Sequence, residues 1–296
     1  MSWRTIVISN RAKLDLKLNY MVVRGENTVK IYLGEIGTLV IESTQVSLTA
    51  ALLAELTERK IKVIFCDAKR NPSAELIGYY GAHDTSGKVR QQVKWLEATK
   101  GDLWQALVRA KIKNQASVLE YYGKEGAALL YSYVDQVEPK DATNREAHAA
   151  KVYFNSLFGK DFTRADDTFI NAALNYGYTI LLSLCNREIV ANGYITQLGV
   201  FHDNIFNNFN LGSDIMEPLR IFVDLAVCEL VYTEERYQLG QEEKYMILDF
   251  LNQEVQIGGK NHILNHAVKQ YCKSIFNALN NNDISDIGWC TMVKKK

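Results

Sequence analysis

The spacing of apolar residues changes character near residue 85. Before that point they come in short runs. Trp3–Ser9, Ala12–Leu18, Tyr20–Arg24 and Thr28–Leu33 are rich in Val, Ile, Leu and Tyr, and polar or glycine-containing breaks separate them. Val29, Ile31 and Leu33 alternate with Lys30 and Tyr32, the period of two that puts every second side chain on one face of a strand. Arg24-Gly25-Glu26-Asn27 supplies a hairpin turn, and Gly37–Glu42 continues the series. A helix follows, capped by Ser47 or Thr49 and striped by Leu48, Leu52, Leu53 and Leu56. Ile61–Cys66 returns to strand, and Gly78–Gly87, with glycines at 78, 81 and 87, breaks all periodicity and predicts a linker.

Beyond the linker the spacing becomes three to four residues. It predicts helices over Asp102–Tyr122, Glu146–Leu157, Asp166–Asn186, Leu219–Tyr232, Glu242–Leu251 and His262–Asn280, with Asp102 and Asp166 as N-caps. Strands first and helices second define an α+β chain rather than an alternating α/β sheet. The expected organisation is a small β-rich domain over residues 1–85 and a larger all-helical domain over residues 86–296. No internal repeat, low-complexity stretch or phosphate-binding glycine loop is visible, and Lys294-Lys295-Lys296 reads as a frayed, solvated end.

Composition narrows the classes. An apolar share of 47% with 23% charged residues is that of a globular domain. Apolar runs such as Thr179–Cys185 are far too short to span a bilayer. The first residues show no basic region followed by an apolar stretch, so a cytoplasmic location without membrane contact is expected. Cys66, Cys185, Cys228, Cys272 and Cys290 are dispersed, which argues against a disulfide framework or zinc ribbon and for small core residues. Net charge is zero, which disfavours nucleic-acid binding through bulk charge. The distribution is uneven, however. Lys88, Arg90, Lys94, Lys100, Arg109, Lys111 and Lys113 face only Glu97 and Asp102 over the same stretch, either a solvated helix surface or a local phosphate-binding face.

Candidate chemistry lies in two carboxylate segments, Arg145–Ala150 and Asp214–Arg220, with Phe201-His202-Asp203 between them. Two Glu and one His brought together by a helical fold can hold a divalent cation with open positions, and such a site can do phosphodiester chemistry. Carboxylate oxygens suit Mg²⁺ and Mn²⁺, and an imidazole shifts the balance away from Mg²⁺. Glu146 starts a helix beside the small residues Ala147, Ala149 and Ala150; singly, it reads as an acidic residue at a helix N-terminus. His148 lies two residues on and shares no face with it. His202 precedes Asn204, Asn207, Asn208 and Asn210, which can satisfy backbone groups or contact phosphates. Asp214 and Glu217 are three apart, on one side of a helical turn, and Pro218 fits the first turn of the next helix, with Glu217 at its cap.

Taken together, Arg145-Glu146-Ala147-His148-Ala149-Ala150, Tyr153-Phe154, the Asn171 to Tyr178 segment with Leu174-Asn175-Tyr176-Gly177, Leu198-Gly199 with His202, and Asp214 with Glu217-Pro218-Leu219-Arg220 and Asp224 resemble the CRISPR-associated adaptation integrase family. Glu at position 217 and the short length are similar to its type II branch. The resemblance covers essentially the whole chain. It implies that Glu146, His202 and Glu217 are catalytic metal ligands for Mn²⁺ or Mg²⁺, supported by Asp214, Asn175 and Tyr178. Ala147 departs from the glycine many relatives carry. Lys111, Lys113, Arg145 and Arg220 are the basic residues assigned to the DNA path.

The implied activity is insertion of a short captured DNA into a CRISPR array, by attack of its 3′-hydroxyl on a repeat-end phosphodiester. The implied partners are double-stranded DNA, a second copy of the chain in a homodimer formed through the β-domains, and a small second adaptation protein in a four-to-two complex. The type II effector nuclease and an accessory ring protein join them. Two readings compete: a stand-alone nuclease for branched DNA, and a non-catalytic DNA-binding scaffold subunit.

Overall fold

Strand pairing organises the N-terminal part of the computed structural model, which describes residues 4–79, 82–233 and 238–293. The chain divides into two compact units: Met1–Thr85 with Val190–Gly193, and Ser86–Ile189 with Tyr194–Lys296. In the first, β1 (Arg4–Ile8), β2 (Ala12–Lys17), β3 (Tyr20–Arg24), β4 (Thr28–Tyr32), β5 (Ile36–Ile41), β6 (Val46–Leu48), β7 (Lys62–Cys66) and β8 (Pro72–Leu76) form two four-stranded sheets, ordered β1-β5-β7-β8 and β4-β3-β2-β6. The hairpin at Arg24–Asn27 pairs β3 with β4 antiparallel, Arg24 opposite Thr28. Strand β5, between parallel neighbours β1 and β7, is buried at every residue, which is why it reads as an unbroken apolar run.

Helix α1 (Ala50–Glu58) is capped by Thr49, whose side chain accepts from the Leu52 amide at 3.3 Å. Its Leu52 and Leu56 join Leu14, Met21, Leu33, Ile36, Leu39 and Val63 in the core. The expected linker is shorter than its glycines suggest, because α2 (Thr85–Val93) already begins inside it. Trp3, the linker's Tyr80 and Gly81, and the terminal lysines fall outside the described residues.

The second unit is helical: α3 (Glu97–Tyr121), α4 (Ala127–Val134), α5 (Arg145–Phe158), α6 (Phe169–Ala191), α7 (Asn210–Met216), α8 (Arg220–Thr233), α9 (Gln241–Leu248) and α10 (Leu264–Asn281). Helix α6 starts at Phe169 rather than at Asp166, and Thr168 Oγ1 accepts from the Asn171 amide. The unit is not wholly helical. Strands β9 (Glu254–Ile257), β10 (Lys260–Ile263) and β11 (Thr291–Met292) form a small antiparallel sheet ordered β10-β9-β11. Its hairpin turns on Gly258 and Gly259, at φ 56° and 75°, a conformation that a residue with a Cβ adopts only under strain. All five cysteines are free and buried, as small core residues are expected to be. No described helix is long and apolar enough to cross a membrane.

Candidate active site

Helix α3 carries the site. Trp104, Leu107, Val108 and Lys111 recur at helical spacing on its buried face. Further along, the Asn114 side-chain amide donates to the Pro218 carbonyl at 2.8 Å and the Cys290 carbonyl at 3.0 Å. The first of these bonds ties α3 to the turn in which α7 ends and Glu217-Pro218-Leu219 forms a single 3-10 turn before α8. Pro218 there lacks only an amide hydrogen that a helix start leaves unpaired. Across from it, Asp141 caps α5 by accepting from the amides of Arg145 at 2.8 Å and Glu146 at 3.1 Å, which fixes Glu146 in the first turn.

Two carboxylates meet at Lys111. Its Nζ donates to Glu146 Oε1 at 2.5 Å and to Glu217 Oε2 at 2.6 Å. The second Glu217 oxygen, Oε1, accepts from Arg220 Nε at 3.0 Å and Nη2 at 2.8 Å. Burial works to raise the Glu217 carboxyl, but Arg220 and Lys111 overcome it and hold it at about 2. Burial likewise disfavours the Lys111 ammonium, and Glu217 and Glu146 outweigh it, so its pKa lies above that of a free lysine.

His202 is placed by a carboxylate that is wholly buried. Asp214 accepts from the backbone amides of Val200 at 2.6 Å, Phe201 at 3.1 Å and His202 at 3.1 Å, and from His202 Nδ1 at 2.6 Å. With Nδ1 committed to Asp214, Nε2 is the ring nitrogen left for a ligand or a proton. The bond to Asp214 raises the imidazole pKa against burial, and Glu217 and Glu146 add to it from farther away. Gly199 makes this approach possible: a Cβ there would sit 2.3 Å from the His202 carbonyl oxygen and 2.7 Å from Asp214 Oδ2. Trp104 closes the other side, its ring stacked 4.2 Å from Phe201 and edge-on 5.6 Å from His202. A cavity of about 480 Å³ opens beside the imidazole, with Lys100, Trp104, Lys140, Gly199 and Asp203 in its walls.

Behind Arg220 lies a buried relay. Its guanidinium stacks 4.6 Å over the Tyr178 ring. The Tyr178 hydroxyl donates to Asp224, and Tyr153 donates to the other Asp224 oxygen at 2.9 Å. Burial pushes the Asp224 carboxyl up to about 6 despite these bonds. Asn175 is exposed and accepts from Arg164 Nη2 at 2.7 Å. His148 is exposed, away from the carboxylates' shared cation.

The basic residues assigned to DNA divide. Lys111 is 8% exposed and bound to the two carboxylates, Arg220 is spent on Glu217, and Arg145 lies 5.1 Å over the Tyr133 ring. Lys113 stands exposed. The basic run is therefore no single solvated face: Lys100 pairs with Glu97 at 2.8 Å, and Arg109 donates to the Val137 carbonyl at 3.2 Å. The loop asparagines serve the backbone. Asn204 Oδ1 accepts from the Phe206 amide at 2.9 Å, Asn207 Oδ1 from the Phe209 amide at 2.9 Å, and Asn210 donates to the carbonyls of Gln197 and Asn204. Sequence reasoning missed Asp141, Trp104 and Asn114, and only Asp141, a capping residue type four positions before Arg145, carried any local signal.

Fold and site together define an α+β protein whose helical unit gathers an acidic pair and a carboxylate-bound histidine. Residues 5–248 match the family CRISPR associated protein Cas1, and the chain belongs to that family. It is 37% identical over 233 residues to the CRISPR-associated endonuclease Cas1 of Neisseria meningitidis serogroup C (strain 8013), covering 78% of this chain and 76% of that protein. A Cas1 endonuclease of Francisella tularensis subsp. novicida (strain U112) is 26% identical over 266 residues, 82% of each chain. Among solved structures, a casposase bound to integration product superposes with TM-score 0.78 at 16% identity, over 97% of this chain and 94% of that one. A CAS1 protein from Thermotoga maritima gives 0.75 at 14% identity over all of both chains. A chain of a Cas6-RT-Cas1–Cas2 complex gives 0.75 at 18% identity, and this chain spans 36% of its length.

Proposed function

We infer that this protein is a metal-dependent DNA endonuclease and integrase, which inserts short captured DNA into a CRISPR array. One observation carries the reading: in a chain of the Cas1 family, Glu146 from the first turn of α5 and Glu217 from the turn between α7 and α8 reach a single cation. The donors suit a divalent metal. Two carboxylate oxygens converge where Lys111 now supplies the positive charge, and Asp214 leaves His202 Nε2 to a ligand. Among the described residues no three His, Cys, Asp or Glu side chains stand close enough together to hold a metal ion as they are, so on this reading the three side chains draw closer when metal enters.

Glu146, His202 and Glu217 would hold Mn²⁺ or Mg²⁺, which would supply Lewis acidity at the scissile phosphate and ease loss of the attacking hydroxyl's proton. Asp214 orients the imidazole, and Arg220 fixes Glu217 from behind. The cavity beside His202, with Lys100 and Lys140 in its wall, receives the phosphodiester. The 3′-hydroxyl of the captured DNA attacks phosphorus, the repeat strand's own 3′-oxygen leaves, and no covalent protein–DNA bond forms. Water as the nucleophile gives cleavage instead.

Partners follow the same reading. Solved relatives include Cas1–Cas2 complexes and a Cas1–DNA complex, which supports double-stranded DNA and a small second adaptation protein as partners here. A homodimer in a four-to-two assembly, and engagement with a type II effector nuclease and ring protein, complete the proposal.

A strand-joining assay tests it. Duplexes with free 3′-hydroxyl ends are mixed with repeat-bearing plasmid, with and without Mn²⁺ or Mg²⁺ and the small partner. Joining that needs the metal, the 3′-hydroxyl and His202 is expected. Cutting without joining favours a stand-alone nuclease, and binding without either reaction favours a scaffold.

A further inference from the structure

Lys111 is an unusual occupant of its position. A lysine is almost never fully buried unless it is paired, and this one pairs with the two side chains proposed above as metal ligands, at 2.5 and 2.6 Å. Glu217 Oε1 is already taken by Arg220. The oxygen Lys111 holds, Oε2, is therefore the one Glu217 can offer to a shared cation. Two carboxylates drawn to one point repel unless a cation lies between them, and the Lys111 ammonium lies between these two.

We propose that Lys111 is the counter-cation of the site: its ammonium holds Glu146 and Glu217 together and competes with the divalent metal for the same two oxygens, so that Lys111 sets how tightly metal binds. This rests on the metal-dependent reading above. The charges argue for competition rather than cooperation. Glu146 and Glu217 balance Lys111 and Arg220, so a divalent ion arriving with Lys111 in place meets a neutral cluster and a positive neighbour at contact distance. Withdrawal of the ammonium along its flexible four-carbon stem would free both oxygens for a divalent ion. The cluster as a whole then carries excess positive charge, which favours a phosphodiester. No bond is made or broken in the exchange.

The test compares Mn²⁺ binding to the full-length wild type, K111M and E217Q by titration calorimetry, alongside melting temperatures with and without Mn²⁺. K111M is expected to bind Mn²⁺ at least tenfold more tightly than wild type, to melt lower without metal, and to recover when Mn²⁺ is added. E217Q is expected to lose binding. In the wild type, an amine-reactive reagent read by mass spectrometry should leave Lys111 unmodified without metal and modify it once Mn²⁺ saturates the site. This second measurement decides the matter if K111M does not fold. Equal or weaker binding by K111M, or labelling of Lys111 that ignores Mn²⁺, overturns the proposal while leaving the metal site standing. Absence of Mn²⁺ binding to wild type and K111M alike overturns the metal reading and this proposal with it.

Discussion

The two units treat buried charge in opposite ways. In the N-terminal unit the buried polar side chains among the described residues are Thr38, Glu42 and Lys62. Lys62 meets Glu75 on the neighbouring antiparallel strand, one local pair closed between β7 and β8. The helical unit instead draws Lys111, Asp214, Glu217 and Asp224 into its interior. Their partners come from distant parts of the chain: Lys111 to Glu217 spans 106 residues, and Tyr153 to Asp224 spans 71. An ion pair within a sheet serves the sheet. Charges collected from several helices, with a carboxyl held at about 2 and another pushed to about 6, are the pattern on which the proposed site rests.

The sharpest way to break this contrast is to remove one charge from each unit. Glu217→Ala is expected to slow joining by roughly 10²–10⁴-fold. Lys62→Met removes the ammonium that pairs with Glu75 across the two strands; it should lower stability by up to about 3–5 kcal/mol while folded molecules keep their joining rate. If the two variants affected rate and stability alike, in strand-joining and urea-unfolding assays, the division of labour would be lost.

Next in size is Asp214→Ala. It removes the acceptor for three amides and the imidazole at once, and joining should fall about 10–100-fold. An alanine variant with normal kinetics would show that His202 needs no such support.

The third prediction concerns pH. Glu217 sits at about 2 in the folded chain against an ordinary 4.5. Its pairing therefore adds stability that is full above pH 4.5 and fades as pH falls toward 2, by about 3 kcal/mol. Asp224 runs the other way. Its folded value of about 6 exceeds the ordinary 3.8, so stability drops as pH rises from about 4 to about 6, also by about 3 kcal/mol. Urea unfolding at stepped pH should show Glu217→Gln flattening the acid limb and Asp224→Asn flattening the fall between pH 4 and 6. Unaltered profiles would refute both assignments. The smallest effect is expected from Lys113→Ala, which should lower the salt slope of DNA binding by about 1. An unchanged slope in a filter-binding titration would make Lys113 a bystander.

Much of this was readable in the residues, for reasons that differ by region. The alternation around Thr28–Tyr32 and the apolar run of Ile36–Ile41 showed the strands from residue type alone, although β4 is exposed except at half-buried Ile31 and β5 is buried at every residue. Thr49 announced α1 through its own hydroxyl. Helix α3 begins five residues before Asp102, at Glu97, because Leu96 precedes it without any side-chain cap to read. The β9–β10 hairpin did carry a signal, two adjacent glycines between short runs, which helical spacing in the flanks obscured. Glu146, His202 and Glu217 were picked out together by a resemblance to one family, since each singly reads as an ordinary residue. Lys111 was not. It belongs to a run of lysines and arginines that looks solvated, and only the rotation of α3 reveals that it points inward while Lys113 points out.

Trp104 has a practical use beyond packing. Its indole lies flat on Phe201, is 1% exposed, and touches the edge of His202. Whatever shifts that loop changes the polarity around a fluorophore already in place. A chain keeping Trp104 while Trp3, Trp95 and Trp289 become phenylalanine would carry an intrinsic optical gauge of the loop that holds His202, needing no attached dye.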